Sequence, residues 1–431
     1  MHHKRTLAAA ALAALALPGL AAADEIPVGH IVDFTGATSG VGVSFGSGIA
    51  DAMNWINANG GIDGDTLAFE TYDYAYQAPR AVSTYRRWVA QDHIVAVQGW
   101  GTADTEALAE FVARDEIPYW SASYSGALTD PNGTGPRSTK AAPYNFFYGP
   151  SYSDGCRALV QWASEDWAAR GEDGAPTFVH MGDNHPYPNA PKEACGEYAE
   201  ELGFEVLPAI NYTLAPGDFT PQCLTLKEIG ADYAFLANTA GSGISLMTAC
   251  ATVGVETQFM TNVWGFDENA MRAAGEAADG TVFVVRTGTV WGDDAPGMET
   301  VRAISDASSR PGEYRLVHYI TGICSAFYMK EAMEWAHENG GVTGPNIRQG
   351  MYAMSAANDG AWVPVGLEGV CLPSGWTAED HRGLMTARIY RGHVNGSTEG
   401  QEIAELINSG TISLEFLEEI TLERRPEWIG Y

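Results

Sequence analysis

The chain has 431 residues, 45% hydrophobic and 18% charged, with a formal net charge of −30 at pH 7. Length and composition imply two or three domains with a substantial core and exclude a disordered chain. The acidity argues against nucleic acid and anionic membranes as partners, and it says little about a small ligand.

The chain opens with a basic start, His2-His3-Lys4-Arg5, followed by an uncharged Ala/Leu run, Leu7 to Leu20, and Ala21-Ala22-Ala23 before Asp24. This order reads as a secretory signal peptide over residues 1–23. A membrane anchor would need about 20 apolar residues, and the run is shorter and broken by Pro18. The expected location is therefore the periplasm, with no direct membrane insertion. Export permits the six cysteines, at 156, 195, 223, 250, 324 and 371, to be oxidised. Sequence cannot choose among their pairings. Cys223–Cys250 is the preferred bridge.

Short apolar runs then alternate with amphipathic stretches. HIVDF, LAFETY, IVAVQGW and IPYWSAS read as buried strands. Phe45, Ile49, Met53 and Ile56 recur at helical spacing, closed by Asn59-Gly60-Gly61. Residues 81–91 and 105–114 behave similarly. A second set follows: helices over 151–170, 190–202, 221–229 and 244–253, with strands TFVHMG, FEVLPAI, YAFLAN, QFMTNV and TVFVVR between and after them. A long helix over 313–337 and a less regular end complete the chain. The βαβα rhythm predicts an α/β protein of two doubly wound parallel-sheet lobes. The expected division is 24–143 with 285–360 as the first lobe, 144–284 with 361–399 as the second, and 400–431 as a C-terminal extension. In such sheets ligands sit beyond the C-terminal strand ends, so the inter-lobe cleft is the expected site.

One stretch suggests other chemistry. Gly42-Val43-Ser44-Phe45-Gly46 fits the G-x-S-x-G nucleophile elbow. It follows the first strand rather than a mid-sheet one, no acid–histidine pair stands out, and the pattern is common in a chain with 49 glycines. A dinucleotide fingerprint fails because Phe45 stands where its third glycine belongs, and no P-loop is present. No metal motif occurs; Asp130-Pro-Asn132-Gly-Thr134-Gly starts like a calcium loop but has Ala141 at position twelve. No catalytic residue, metal or cofactor is expected. Gly40 to Gly48 then reads as the first strand-to-helix loop, with Val41 facing the solute.

The opening VGHIVDFTGATSGVGVSFGSGIADAMNWINANGGIDGDTLAFETYDYAYQAPRAVSTYRRWV resembles that of the leucine/isoleucine/valine-binding protein family, type I periplasmic solute-binding proteins of ABC importers. IVAVQGWGTADTEALAEFVARDEIPYWSASYSGALTD, NHPYPNAPKEACGEYAEELGFEVL and DFTPQCLTLKEIGADYAFLANTAG resemble its later blocks, in the same order. The resemblance implies two lobes joined by three crossovers, a monomer closing on a small-molecule solute and delivering it to an inner-membrane ABC permease. It places the solute carboxylate on Thr102 and on Ser123, Tyr124 and Ser125, where helix N-terminal N–H groups favour an anion, and it places Tyr187 over the ligand. Where amino-acid binders of the family carry an acid for the ammonium, this sequence has Val263, flanked by Asn262 and Trp264. An unpaired buried ammonium would cost several kcal/mol. With Trp100, Tyr124, Tyr187, Trp264 and Trp291 near predicted cleft ends, and Asn238 at another strand end, the favoured solute is an apolar or aromatic acid. A branched-chain amino acid is the alternative, and a ligand-sensing receptor domain a further one.

Overall fold

The computed structural model describes residues 23–431; the expected leader lies, but for its last residue, outside the described residues. Two sheets form from the predicted runs. The first holds β1 (Glu25–Val32), β2 (Thr66–Asp73), β3 (Ala96–Gln98), β4 (Tyr119–Trp120) and β5 (Asn145–Phe146), in the order β2-β1-β3-β4-β5 and all parallel. The second holds β6 (Thr177–Gly182), β7 (Glu205–Asn211), β8 (Tyr233–Leu236), β9 (Gln258–Thr261), β10 (Val282–Val285), β11 (Thr386–Val394) and β12 (Ile412–Thr421), in the order β12-β11-β10-β9-β8-β6-β7. Helices cover both faces, so the central strands are buried on both sides. This is why VFVV of β10 is apolar throughout and wholly buried. β11 runs antiparallel to β10 and β12. β12 lies at the edge and carries Glu415, Glu418 and Glu419, a charged border that discourages pairing with another chain.

Gly40 to Gly48 forms no loop. Helix Ser39–Ala58 begins at Ser39, and the loop is confined to Phe34–Thr38. Val41 is fully buried in the core. Close packing explains two of the glycines. A Cβ on Gly42 would lie 2.3 Å from the Asp33 carbonyl oxygen, so the helix could not seat on the end of β1. A Cβ on Gly48 would meet the Tyr319 oxygen at 2.1 Å, and one on Gly322 the Phe45 oxygen at 2.3 Å. Helices Ser39–Ala58 and Val317–Glu338 thus cross backbone to backbone, burying Phe45, Ile49 and Met53 between the first sheet and the long helix.

The lobe boundaries differ from those expected. β5 pairs with β4, so residues 145–146 close the first sheet; a two-residue strand has no periodicity to read. Residues 361–383 fold onto the first lobe, where Cys371 is bonded to Cys324, the Trp376 indole donates to the Phe147 oxygen (3.1 Å), and His381 stacks on Phe146 (4.5 Å). The segment set apart as an extension supplies β12 of the second sheet. Its tail bridges the lobes: Arg425 pairs with Glu201 (2.8 Å) and Trp428 packs on Tyr198, both of the second lobe, while the Gly430 N–H donates to Thr129 Oγ1 of the first (2.9 Å). The three crossovers follow β5, β10 and Gly383, and they meet. Arg286, just after β10, donates to the Pro150 oxygen, and the Gly149 N–H donates to Ser374 Oγ (3.0 Å).

The cysteines form Cys156–Cys195, Cys223–Cys250 and Cys324–Cys371. The expected bridge is among them. Among the described residues no helix is long and apolar enough to cross a membrane, and no cluster of His, Cys, Asp and Glu is disposed to hold a metal. The Asp130 carboxylate is engaged by the N–H groups of Asn132, Gly133 and Gly135 and by Ser138.

Candidate functional site: the inter-lobe cleft

The C-terminal ends of β1, β2 and β3 face those of β8 and β9 across the cleft, and the loops there carry the site. The lobes stand closed, leaving a cavity of only about 10 Å³ between them. Five aromatic rings line this space: Tyr76 and Trp100 from the first lobe, Tyr152 from the exit of the first crossover, and Tyr187 and Trp264 from the second lobe. Thr38, Thr102 and Thr239 add hydroxyls.

The first-lobe wall is held by buried carboxylates. The Trp100 indole N–H donates to Thr38 Oγ1 (2.8 Å), and Thr38 donates to Asp33 Oδ2 (2.6 Å). Asp33 also accepts from the N–H groups of Gly36 and Thr38, which fixes the loop before helix Ser39–Ala58. Asp104, in the first turn of helix Thr102–Asp115, accepts from the Tyr74 hydroxyl (2.7 Å) and lies against Tyr76 and Tyr119. Burial raises its carboxyl to about 7, against the Tyr74 hydrogen bond, which lowers it. Tyr76 is reached through two successive residues in the left-handed region, Ala75 (φ 52°) and Tyr76 (φ 55°). Such backbone is uncommon for residues other than glycine and tends to gather at ligand sites.

On the second-lobe wall, one amide orients two rings. Asn262 Oδ1 accepts from the Tyr187 hydroxyl (2.9 Å) and from the Trp264 backbone N–H (2.9 Å), while its Nδ2 donates to the Ala237 oxygen (3.1 Å). Trp264 crosses the cleft. Its indole N–H reaches the Ala122 oxygen (3.2 Å) and the Tyr152 hydroxyl (2.9 Å). Its ring lies 4.9 Å from Trp100, 5.3 Å from Phe45 and 5.4 Å from Tyr124, the last in parallel stacking. Burial pushes Tyr76, Tyr152 and Tyr187 above the ordinary tyrosine range, so all three stay protonated.

Of the residues singled out from sequence, Trp100, Thr102, Tyr187 and Trp264 line the space. The others stand apart from it. Ser123 donates to Thr102 Oγ1 (2.9 Å) and orients it from behind. Tyr124 lies between Trp264 and the guanidinium of Arg286, 3.4 Å from its ring, and belongs to the hinge. Ser125 turns away to Glu106 (2.9 Å). Asn238 is spent on the Asp183 N–H and the oxygens of Tyr212 and Thr213. Val41 is core, because the helix starts two residues before it. Trp291 sits outside, beside Tyr314.

The expected carboxylate receptor is also altered. The Tyr76 hydroxyl faces the Thr102 N–H, and the Asp104 carboxylate faces the N–H groups of Gly101 and Asp104. The protein's own oxygens thus lie beside the helix N-terminus at which a solute carboxylate was expected, and Asp104 Oδ2 has no hydrogen-bond partner there. Asp267 caps helix Glu268–Ala274 through the Ala270 N–H (2.7 Å) and faces His318 (3.4 Å), and Glu268 meets Tyr314 (3.3 Å) and the Val317 N–H (3.3 Å); neither acid lines the space.

A family model described as periplasmic binding protein matches residues 25–398. The chain is 21% identical over 317 residues to Leu/Ile/Val-binding protein homolog 1 of Brucella abortus, covering 73% of this chain and 81% of that one. Among solved structures it is similar to an ABC transporter substrate-binding protein of Aeropyrum pernix (TM-score 0.78, 24% identity, 94% of this chain and 98% of that one). It is also similar to a solute-binding protein of Rhodopseudomonas palustris BisB5 in complex with 3,4-dihydroxy benzoic acid (TM-score 0.70, 16% identity, 92% and 98%) and to a branched-chain amino-acid ABC transporter protein of Thermus thermophilus with bound valine (TM-score 0.76, 21% identity, 86% and 94%).

Proposed function

Because the chain belongs to the periplasmic binding protein family, we propose that it is the extracytoplasmic solute-binding component of an ABC importer. It captures a small organic solute between its lobes, closes by hinge bending and delivers the solute unchanged to a membrane permease. The observation that carries this reading is the closed, buried space lined from both lobes, with Trp264 of one lobe bonded to the Ala122 oxygen of the other. A site shared in this way exists only when the lobes meet, so solute binding and closure are one event.

The rings favour a solute with an apolar or flat body. The neighbour with bound dihydroxybenzoate supports an aromatic acid, the solute the sequence favours, and the two buried carboxylates behind the rings, Asp33 and Asp104, weaken it. A branched-chain amino acid is the second reading, supported by the neighbour with valine and weakened by Val263, an apolar residue where an acid for the ammonium is expected.

A thermal-shift screen of amino acids, aromatic and aliphatic acids and small amines tests the reading, since a solute that binds only the folded protein raises stability by RT ln(1+[L]/Kd). Every hit should also lower the radius of gyration in solution scattering. A panel-wide absence of both effects, or turnover of any hit, overturns the importer role.

A further inference from the structure

We infer that the cleft selects a small alkylated ammonium cation, quaternary or tertiary, held by ring faces rather than by an ion pair. The inference rests on the cleft being the solute site and goes beyond that reading in the sign of the solute's charge.

The polar edges of four of the five lining rings are bonded within the protein. The Trp100 indole donates to Thr38 and through it to Asp33, the Tyr152 hydroxyl donates to the Ala122 oxygen (3.0 Å), the Tyr187 hydroxyl to Asn262, and the Trp264 indole to Ala122 and Tyr152. A ring whose N–H or O–H donates to an acceptor gains electron density on its faces, and electron-rich faces attract cations. Trp100 and Trp264 are tilted by 58°, Tyr152 and Tyr187 by 67°. The rings therefore stand at angles to one another and present faces in more than one direction, as an aromatic cage does.

The wall behind the rings has the matching sign. Asp33 and Asp104 are both buried. Among the described residues that line the space there is no Lys or Arg. The nearest buried guanidinium, Arg286, is engaged by the Tyr124 ring and the Pro150 oxygen at the hinge. An anion here would meet two carboxylates and no opposing charge, and the N–H groups at Thr102 are already faced by Tyr76 and Asp104. Thr239 Oγ1, in a residue 3% exposed, lines the space and has no partner. It suits a single hydroxyl or carbonyl on the solute.

A bound cation also favours the ionised form of Asp104, so affinity should rise with pH through about 7. The groups facing Asp104 are Tyr74, Tyr76, Tyr119 and Asp33, and all three tyrosines are held protonated through this range. His185, tilted against Tyr76 at 5.3 Å, is held below its ordinary value by burial, so it adds little charge near pH 7.

Titration calorimetry with tetramethylammonium and choline, against sodium benzoate and leucine, decides the matter. Saturable binding of either cation is expected, weakened about tenfold or more by Trp264→Ala. Asp104→Asn should remove the rise in affinity between pH 6 and pH 8 while leaving the protein folded by circular dichroism. Trp100→Phe, which keeps an aromatic face and loses the donor to Thr38, should weaken the cations less than Trp264→Ala. No saturable binding of either cation overturns the inference, as does cation binding that Trp264→Ala leaves unchanged. Benzoate or leucine closing the lobes in their place overturns it too, yet leaves the capture role standing; that role falls only if the whole panel above fails or a hit is turned over.

Discussion

The two walls of the cleft are built on different terms. The first-lobe wall is bonded within one lobe: Asp33 to Thr38 and the N–H groups of Gly36 and Thr38, and Asp104 to Tyr74. The second-lobe wall is finished only on closure, because the partners of the Trp264 indole lie across the gap at Ala122 and Tyr152. A prebuilt wall can set which solute fits, while a wall completed by closure makes the bound state conditional on that fit. The hydrophobic gain of burying Trp264 is available only in the closed form, so it sets how far the equilibrium leans toward closure.

The difference can be tested from its largest expected effect downward. Removing the Cys324–Cys371 bridge (Cys324→Ser with Cys371→Ser) frees a loop with a sequence separation of 47 and should cost about 4 kcal/mol of stability by chain entropy. It should loosen residues 361–383 against the first lobe, read as a lower denaturation midpoint; an unchanged midpoint would mean that this lobe does not depend on the bridge. Trp264→Ala should destabilise the closed form by about 3–5 kcal/mol and enlarge the radius of gyration, with little change in the stability of either lobe alone. If it unfolds the whole protein instead, the second wall is as prebuilt as the first.

A third test uses pH. Burial lifts Asp104 to about 7 and Glu268 to about 8. An acid whose folded value lies above its unfolded value binds more protons when folded, so stability falls as pH rises between the two. The protein should therefore lose up to a few kcal/mol per group between about pH 4 and pH 8. Asp104→Asn should reduce that loss and raise stability at pH 8 relative to the parent; urea midpoints at pH 5 and pH 8 provide the check. Ala75→Gly relieves a left-handed alanine at the strained turn before Tyr76 and should add up to about 1 kcal/mol. A loss would show that Ala75 contributes more by contact than it costs in strain. Smallest is Arg137→Ala, which breaks an ion pair with Glu197 across the lobes in which both side chains are substantially exposed. Less than about 1 kcal/mol is expected, vanishing in high salt.

The fold was legible because buried parallel strands and amphipathic helices each leave a periodic trace, and those traces alternated along the chain. What failed was short or set by contact. β5 has two residues, and β12 reads as a polar tail because it lies at an edge. In the cleft, Trp100, Thr102, Tyr187 and Trp264 were accessible from their place after strands. Tyr76 was not, because its turn uses Ala75 and Tyr76 in a conformation that glycine would have advertised. Tyr152 was read as an ordinary helix residue; the clue was Ser151, whose side chain caps the helix at the hinge. Thr239 was passed over beside Asn238, although its open hydroxyl faces the space and the Asn238 amide does not. Val41 misled because a glycine-rich run was taken for a loop, when those glycines admit backbones into van der Waals contact.

The returning tail bears on the geometry of motion. Three strands of chain at a hinge can transmit both bending and twisting. The tail adds a fourth link, joined to the first lobe at Thr129 and to the second at Glu201 and Tyr198. Its end lies beside Gly126 and Ser153, where the chain leaves the first crossover. A link set beside the crossovers would resist torsion more than opening. Such a link would guide the lobes along a single arc and bring Trp264 back to the same register against Ala122 each time they meet.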